Sequence, residues 1–375
     1  MIYNIKKQKE RKLMKSALQY ARMCADSVMA QYTPDTLPPE DKFHYHQGVF
    51  LSGVEKIYEL STEEKYRAYI MQWVDKHVKE DGSCPTAEIK SLDDIQPGIL
   101  LFSLYETTGY VKYKKLLDTF FDAIEKWPTN NYGGVWHKFR NPDQMWLDTM
   151  YMYGLITAMY CSKFNKPYMF GKLATQVKLI REHMYNPETG LLYHMWDDSK
   201  RHEFVDKDTG LAKVHWGRAM GWYIVSLAEF TTYAPKDSEL YKLSVDIGRE
   251  LIAAVAKYQD KENGMWYQVV DKVNDKRNWH ESSCTALFTY AAAKFYNNGI
   301  IGDEYKDMII SGYNGALTKA EIDGDKLSVT DVCVGTGVGR EDYYLHRPTV
   351  SNDLHGAGAF ILMCTEVHKF MENQK

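Results

Sequence analysis

Apolar residues recur along the chain with the period of an amphipathic helix, about twelve times at intervals of roughly thirty residues. In one repeat, Tyr66, Tyr69, Ile70 and Trp73 share a face. That repeat opens with Ser61–Glu64, whose spacing predicts a capping box. Helices are predicted at about 11–32, 46–60, from 61, 96–109, 113–124, from 144, 167–185, 217–232, 238–258, 282–296, 304–318 and 353–371.

The predicted helices pair into hairpins of about sixty residues. Even-numbered helices are apolar all round, as in Ile99–Tyr105, whereas odd-numbered helices carry a Lys- and Glu-rich face. We therefore predict an all-α fold, an (α/α)6 barrel of six helical hairpins with short β-strand elements in the rim loops. Residues 1–375 are expected to form a single domain, because no linker or low-complexity run divides them. An open solenoid is the alternative, and closure is favoured because neither end shows a polar capping repeat.

Three loops that lead from an outer to an inner helix share a motif. They are Gly133–His137, Gly190–His194 and Gly264–Gln268, and each ends in an aromatic residue followed by a polar one. The motif predicts a brief strand after a turn.

The segment Gln144–Gly154 carries a single carboxylate, Asp148, among apolar positions, and we interpret it as a largely buried helix. Loss of hydration favours the neutral form of a carboxyl group, so the pKa of Asp148 is expected to rise, as suits a proton donor near neutral pH. The alternative is that Asp148 caps the helix or pairs with a buried Arg or a backbone amide.

Composition narrows the possible partners. A net charge of -4 argues against nucleic acid or an anionic membrane surface. The six cysteines are scattered without a Cys-x-x-Cys pair, which argues against a disulfide framework. The basic segment up to Lys15 lacks an apolar signal region, and no stretch is long enough to span a membrane. A cytoplasmic location is therefore the expectation.

The inner helices of such a barrel run in one direction, so their N-termini share a rim where unusual residues gather. Helix N-termini and Arg218 suit a carboxylate ligand, and Trp216 and Trp222 suit the walls around a sugar ring. Asp93, Asp94 and Ser282 are alternatively plain N-caps, and the two tryptophans are alternatively core residues. The rim residues are Tyr45, His46, Asp93, Asp94, Asp148, His215, Trp216, Arg218, Trp222, Glu281, Ser282, Ser283, Asn352, Asp353 and His355.

Two other motifs carry less weight. His44-Tyr45-His46 suggests metal binding, but no third ligand follows at a recognisable spacing, so no metal is predicted. Gly335–Gly339 lacks the Gly-Lys-Ser/Thr of a phosphate loop and is interpreted as a tight loop.

Six stretches occur in a characteristic order: Leu92–Gly98, Trp136–Lys138, Trp146–Thr149, Gly190–His194, Trp216–Trp222 and Glu281–Ala286. In this order and at these separations, the chain resembles the unsaturated rhamnogalacturonyl hydrolases over nearly its whole length. That glycoside hydrolase family has a six-hairpin α/α barrel. Related unsaturated glucuronyl hydrolases tend to have Trp-Ala-Arg-Gly-Gln-Ala-Trp in place of Trp216–Trp222, so the resemblance favours the rhamnogalacturonyl branch.

The resemblance implies a substrate left by polysaccharide lyases, an oligosaccharide that ends in a uronic acid with a C4=C5 double bond. Asp148 would protonate C4 and then, as a base, activate water for addition at C5, and the resulting hemiketal would open and release the remaining sugar. A second catalytic carboxylate at fixed separation is not required. Asp93 would contact the ring hydroxyls and assist proton transfer. The substrate-binding residues implied by position are Tyr45, His137, Lys138, Trp146, His194, Trp216, Arg218 and Trp222.

Three functions follow as hypotheses, none of which needs a cofactor. The first is an unsaturated rhamnogalacturonyl hydrolase with Asp148 as general acid and base. The second is an unsaturated glucuronyl hydrolase that acts on oligosaccharides derived from glycosaminoglycan or ulvan. Sulfated substrates of this kind would need a basic pocket, and the sequence shows no dense Lys/Arg cluster that would form one. The third is a catalytically silent barrel that binds sugar or protein through the same rim.

Overall fold

The computed structural model describes residues 15–374, which contain thirteen α-helices and seven short strands. The predicted start of the first helix, at residues 11–14, lies outside the described residues. The helices are α1 Ala17–Gln31, α2 Tyr45–Ser61, α3 Glu64–His77, α4 Leu100–Thr108, α5 Val111–Glu125, α6 Leu155–Phe164, α7 Tyr168–Met184, α8 Gly217–Tyr233, α9 Glu239–Ala256, α10 Ser282–Asn297, α11 Lys306–Leu317, α12 Glu341–Leu345 and α13 Leu354–Glu372. The strands are β1 Gln144–Trp146, β2 Met195–Asp197, β3 Leu211–Ala212, β4 Ala320–Asp323, β5 Lys326–Val329, β6 Val332–Cys333 and β7 Thr349–Val350.

The inner helices form a closed ring. α13 packs against both α10 and α2, α10 packs against α8, and α8 packs against α6. The turn Gln96–Ile99, which leads into α4, packs against α2 and α6 and completes the circle. This arrangement confirms the predicted barrel, and the open solenoid is wrong because the last inner helix contacts the first.

Inner and outer helices differ in burial as the sequence pattern predicts. In α8 every residue from Gly217 to Phe230 is buried. The outer helix α5 buries a stripe that includes Tyr113, Leu116 and Phe120 and leaves its other side to solvent. Outer helices therefore shield a ring of inner helices that has almost no polar face.

The ring closes through a backbone contact that only glycine allows. A β-carbon added to Gly358 of α13 would lie 2.6 Å from the carbonyl carbon and oxygen of Val49 in α2 and 2.7 Å from the amide nitrogen of Phe50. Real β-carbons do not approach backbone atoms so closely, so the side chain must be absent for α13 and α2 to meet.

The three glycine-led loops have a common geometry. Gly133, Gly190 and Gly264 all have positive φ, between 76° and 86°, a region that favours glycine. Short antiparallel bridges follow, at Thr129–Val135, Tyr185–Leu192 and Tyr267–His280. β1, β2 and β3 form a small antiparallel sheet in the same rim, in which Gln144 pairs with Asp197 and Trp146 with Met195. The predicted short strands in the rim loops are thus confirmed.

Two local predictions are wrong. The segment from Gln144 is not a helix throughout, because Gln144–Trp146 is a strand, Met150–Gly154 is a π-helical turn and the α-helix starts only at Leu155. The capping box at Ser61–Glu64 does not form, because α2 continues through Ser61, Thr62 adopts φ 57° and Glu63 is the N-cap of α3.

All six cysteines are free thiols. Among the described residues, no helix has the length and apolar character needed to cross a membrane.

The contact at Gly358 gives a test of ring closure. We expect Gly358→Ala to lower the free energy of unfolding by about 1–3 kcal/mol, because the new methyl group overpacks a backbone contact. Gly171→Ala in α7 is the matched control. An added β-carbon there meets nothing within 4 Å, and a helical alanine should raise stability by up to about 1 kcal/mol. Urea unfolding followed by circular dichroism measures both, and a Gly358→Ala protein as stable as wild type would contradict the closure argument.

Candidate active site

Asp148 stands where strand β1 gives way to a helical turn. The amide of Leu147 donates to the carbonyl of His194 at 3.1 Å, which ties the end of β1 to a neighbouring rim loop. The Asp148 carbonyl accepts from the amides of Tyr151 and Met152 at 3.0 and 3.1 Å. Its side chain is therefore fixed at the start of an inner helical segment, and the residue is only 8% exposed.

The carboxylate of Asp148 pairs with a histidine. His194 Nε2 lies 2.9 Å from Asp148 Oδ2, and His194 Nδ1 lies 2.6 Å from the hydroxyl of Tyr344. His194 and Tyr344 are both completely buried. Asp148 thus pairs with another side chain, as the alternative interpretation required, although with an imidazole and not with an arginine.

The direction of the pKa shift of Asp148 differs from the prediction. Burial raises the pKa of this carboxyl, but the attraction and hydrogen bond of His194, together with the charge of His137, outweigh it and leave the pKa below the ordinary value. Asp148 is therefore ionised at neutral pH in the ligand-free protein. The prediction of a raised pKa was wrong because the sequence did not show the histidines that face the carboxylate.

Asp93 is a second buried carboxylate at the rim. His137 Nε2 is 3.2 Å from its Oδ1, Lys138 Nζ is 2.6 Å from its Oδ2, and His44 Nε2 is 3.9 Å away. Burial raises the pKa of Asp93, but the charges of His137 and Lys138 bring it well below the ordinary range. Asp93 is not a plain N-cap, because Ser91 caps this turn and accepts from the amide of Asp93.

The neighbouring Asp94 behaves differently. Burial and the charge of Asp93 raise the pKa of Asp94 to about 6. Two adjacent aspartates therefore differ in charge state in weakly acidic solution, because Lys138 and His137 face only the first of them.

His137 lies between Asp93 and the segment that carries Asp148. Its Nδ1 lies 3.1 Å from the hydroxyl of Thr149, the residue after Asp148, and its other ring nitrogen faces Asp93. The ring stacks on Trp146 with centroids 4.4 Å apart and an interplanar angle of 18°. Trp146 also makes an edge-to-face contact with the ring of His194, with centroids 5.6 Å apart, and the ammonium of Lys138 lies 5.5 Å from the Trp146 ring centre.

Arg218 is buried, with 1% exposure, and holds a loop in place. Its Nη1 donates to the carbonyl of Cys333 at 2.6 Å and lies 2.9 Å from His355 Nε2, and its Nη2 donates to the carbonyl of Val334 at 2.8 Å. The guanidinium lies 4.6 Å from the ring centre of Trp216. Arg218 therefore anchors the end of β6 and the segment that follows it.

The structure brings nine of the ten predicted site residues to one rim. Trp222 is set apart from them, because it is 1% exposed and stacks on Tyr151 at 4.6 Å, as a core residue does. Trp216 is equally buried and donates from its indole to Gln268. The nine residues are Tyr45, Asp93, His137, Lys138, Trp146, Asp148, His194, Trp216 and Arg218.

Two residues of the site, Tyr344 and Thr149, were not predicted from the sequence. Tyr344 lies on α12, a five-residue helix too short to show a periodic pattern. Thr149 belongs to the recognised stretch Trp146–Thr149, but nothing in the pattern indicated that its hydroxyl contacts His137.

Three rim residues resemble a metal ligand set. His46, Asp353 and His355 offer atoms within 4.8 Å of one another. However, both ring nitrogens of His355 are already engaged, because Nε2 lies 2.9 Å from Arg218 Nη1 and 3.1 Å from the Cys333 carbonyl, and Nδ1 lies 2.8 Å from Asp353. The fixed positive charge of Arg218 beside this ring also repels a cation, which argues against a metal here.

The sequence matches the model of Glycosyl Hydrolase Family 88 over residues 20–371. It is 24% identical over 318 residues to the unsaturated rhamnogalacturonyl hydrolase YesR of Bacillus subtilis (strain 168). This alignment covers 83% of this chain and 85% of that protein.

Solved structures show the same architecture. A glycoside hydrolase of family 105 from C. acetobutylicum ATCC 824 superposes with a TM-score of 0.88 at 30% identity, over 93% of this chain and 99% of that one. An unsaturated glucuronyl hydrolase from Bacillus sp. GL1 superposes with a TM-score of 0.69 at 12% identity, over 94% and 95% of the two chains, and shares the fold alone.

The contacts of Asp93 give a test of the rim electrostatics. We expect Lys138→Met to raise the pKa of Asp93, because the closest cation is lost. A carboxyl whose pKa is depressed by folding stabilises the protein above its ordinary pKa, and this contribution is lost as the pH falls towards the depressed value. Lys138→Met should therefore lower the free energy of unfolding at neutral pH, and the deficit should shrink on acidification.

Carbon-13 titration of labelled aspartate carboxyls measures the pKa, with Asp93→Asn to assign the resonance. Lys90→Met is the control, since Lys90 is exposed and lies 3.8 Å from Glu88. An unchanged Asp93 titration in Lys138→Met would contradict the assignment.

Proposed function

The chain belongs to glycosyl hydrolase family 88, and on that premise we propose that it removes the unsaturated galacturonyl residue from the non-reducing end of rhamnogalacturonan oligosaccharides. The reaction is hydration of the C4=C5 bond of that residue. The observation that carries the proposal is a buried aspartate, Asp148, paired with His194 at a rim lined by tryptophan, histidine and arginine.

Asp148 serves as base and acid in this proposal. Its carboxylate is ionised in the ligand-free protein, which suits the activation of water for attack on C5. The acid step needs a proton on the same group. A bound uronate brings a negative charge into a buried site, which raises the pKa of a neighbouring carboxyl. Substrate binding would therefore prepare Asp148 to protonate C4.

The uronate carboxylate is assigned to the N-terminus of α8. Helix N-termini favour anions, and Arg218 adds a fixed positive charge in the first turn. Asp93, His137 and Lys138 would hold the ring hydroxyls from the opposite side, since these three groups already form one hydrogen-bonded and ion-paired set. Trp146 would supply the apolar surface between the two sides.

The sugar after the uronate is proposed to be uncharged. A cavity of about 470 Å³ adjoins Asp93 and His44 at the rim. Four basic residues line it, but so do four carboxylates, so the wall has no net positive charge to attract sulfate. These residues are Lys42, Lys90, Lys138, Arg140, Asp41, Glu88, Asp93 and Asp94. A neutral sugar such as rhamnose suits this wall better than a sulfated one.

The two glycines of Trp216–Trp222 have a packing role, so they do not by themselves favour galacturonyl over glucuronyl substrates. A β-carbon at Gly217 would lie 2.9 Å from that of Cys284, and one at Gly221 would lie 2.7 Å from that of Leu287. Both glycines of Trp216–Trp222 are therefore explained by the packing of α8 on α10. The choice of a rhamnogalacturonan product instead rests on the similarity to YesR, and the balanced charge of the cavity supports an unsulfated second sugar.

The decisive variant is Asp148→Asn. With lyase-digested rhamnogalacturonan, wild type should abolish the ultraviolet absorbance of the conjugated uronate, and Asp148→Asn should be slower by about 10²–10⁴-fold or more, because it lacks the acid and base. Asp143→Asn is the control. Asp143 lies on the same rim loop, pairs with the exposed Arg201 and has φ 65°, which asparagine tolerates.

Equal activity of Asp148→Asn and wild type would refute the role of Asp148. If wild type left the rhamnogalacturonan product unchanged but consumed unsaturated glucuronyl oligosaccharides, the substrate assignment would be wrong. Inactivity on both would indicate a silent sugar-binding barrel.

A further inference from the structure

A glycine-rich segment, Gly335–Gly339, lies over the rim beside the catalytic candidate. The guanidinium of Arg218 holds the residues just before this segment by donating to the carbonyls of Cys333 and Val334. At its far end, Val338 packs against a small apolar cluster separate from the main core. The cluster consists of Trp146, Met195, Val205 and Ala212. The cluster thus includes Trp146, the tryptophan on which His137 stacks.

A line of three hydrogen bonds runs from this segment to Asp148. The amide of Gly339 donates to the hydroxyl oxygen of Tyr344 at 3.3 Å. The Tyr344 hydroxyl is 2.6 Å from His194 Nδ1, and His194 Nε2 is 2.9 Å from Asp148 Oδ2. All three side chains are buried, so water does not compete for these contacts.

For a neutral His194, the partners on its two sides agree on one direction for each bond. The Gly339 amide can only donate, so the Tyr344 oxygen accepts from it and the Tyr344 proton remains available for His194. Asp148 is ionised in the ligand-free protein, so His194 must donate to it from Nε2. A neutral imidazole that donates from Nε2 accepts at Nδ1, which is where the Tyr344 hydroxyl lies.

We propose that Tyr344 is a positioning residue that donates to His194 Nδ1, supports Asp148 in holding the His194 proton on Nε2, and so links the position of Gly335–Gly339 to Asp148. This inference rests on the proposed role of Asp148. An amide that donates to a hydroxyl oxygen polarises its O–H bond and strengthens the next hydrogen bond in the line. If Val338 left its cluster and Gly339 left Tyr344, the Tyr344 hydroxyl would stay beside His194 but would be less polarised, and its hydrogen bond to Nδ1 would weaken. The carboxylate is then fully prepared only while the segment lies over the site.

The first test measures the tautomer directly and needs no substrate. Nitrogen-15 spectra of labelled histidine show which ring nitrogen of His194 carries the proton, with His194→Gln to assign the signals. In wild type we expect Nε2 protonated and Nδ1 unprotonated. In Tyr344→Phe, which keeps the buried ring but lacks the hydroxyl, we expect the share of the Nδ1-protonated tautomer to rise, because Asp148 alone then holds the proton on Nε2.

Tyr343→Phe is the matched control. Tyr343 precedes Tyr344 on α12, and its hydroxyl accepts from the amide of Gly337 in the same segment, but it is exposed and makes no contact with His194. The tautomer of His194 should shift less in this variant than in Tyr344→Phe, because only a contact to the segment is lost. A protonated Nδ1 in wild type, or an unchanged tautomer in Tyr344→Phe, would overturn the proposal. These spectra do not depend on turnover. Failure of the tautomer proposal can therefore be told apart from failure of the proposed role of Asp148 in the activity assay.

The second test separates positioning from binding. In Tyr344→Phe we expect kcat to fall by about 10- to 100-fold, as for loss of one hydrogen bond to a charged network, with KM within about twofold of wild type. Val338→Ala should shift both kcat and the tautomer ratio in the same direction but less, because the segment is less firmly seated. An unchanged kcat in Tyr344→Phe would refute the positioning role. Unchanged kcat and tautomer in Val338→Ala would refute the link to the segment.

Discussion

Closure of the helical ring is the constraint on which the other features depend. Because α13 meets α2 backbone to backbone at Gly358, the six inner segments form a circle and their N-termini lie at one rim. Contacts across that rim join residues far apart in sequence, such as Arg218 with His355, His46 with Asp353 and Tyr344 with His194. An open solenoid would bring together only neighbouring repeats. The site therefore exists because the ring is closed.

Within this rim, the side chains that contact each carboxyl, and not its burial, decide whether it is ionised. Asp93, Asp94 and Asp148 all lose hydration, which by itself would raise all three pKa values. Only Asp94, which lacks a close cation, keeps a raised value of about 6. Histidines and a lysine reverse the direction at the other two. The same protein thus holds two ionised carboxylates and one carboxyl that is partly protonated in weakly acidic solution.

Several side chains that suit ligand contact also maintain the architecture. Arg218 holds the carbonyls after β6, Trp222 stacks on Tyr151, and the glycines of Trp216–Trp222 allow α8 to pack closely on α10. A motif shared with relatives can therefore record helix packing as well as sugar recognition. Loss of activity after substitution at Arg218 alone would not separate the two roles, whereas the tautomer of His194 reports on positioning directly.

The sequence by itself determined the helical repeat, the inner and outer faces, the rim strands and the identity of most rim residues. These follow from local periodicity, from glycines with positive φ at positions such as Gly133 and Gly190, and from motif order. Tertiary structure decided what lies opposite each side chain. The pairing of Asp148 with His194, the strand at Gln144–Trp146 and the contact of Tyr344 all arise between segments distant along the chain. The physical reason is that electrostatic and hydrogen-bond energies depend on distances in space, which a one-dimensional pattern does not contain.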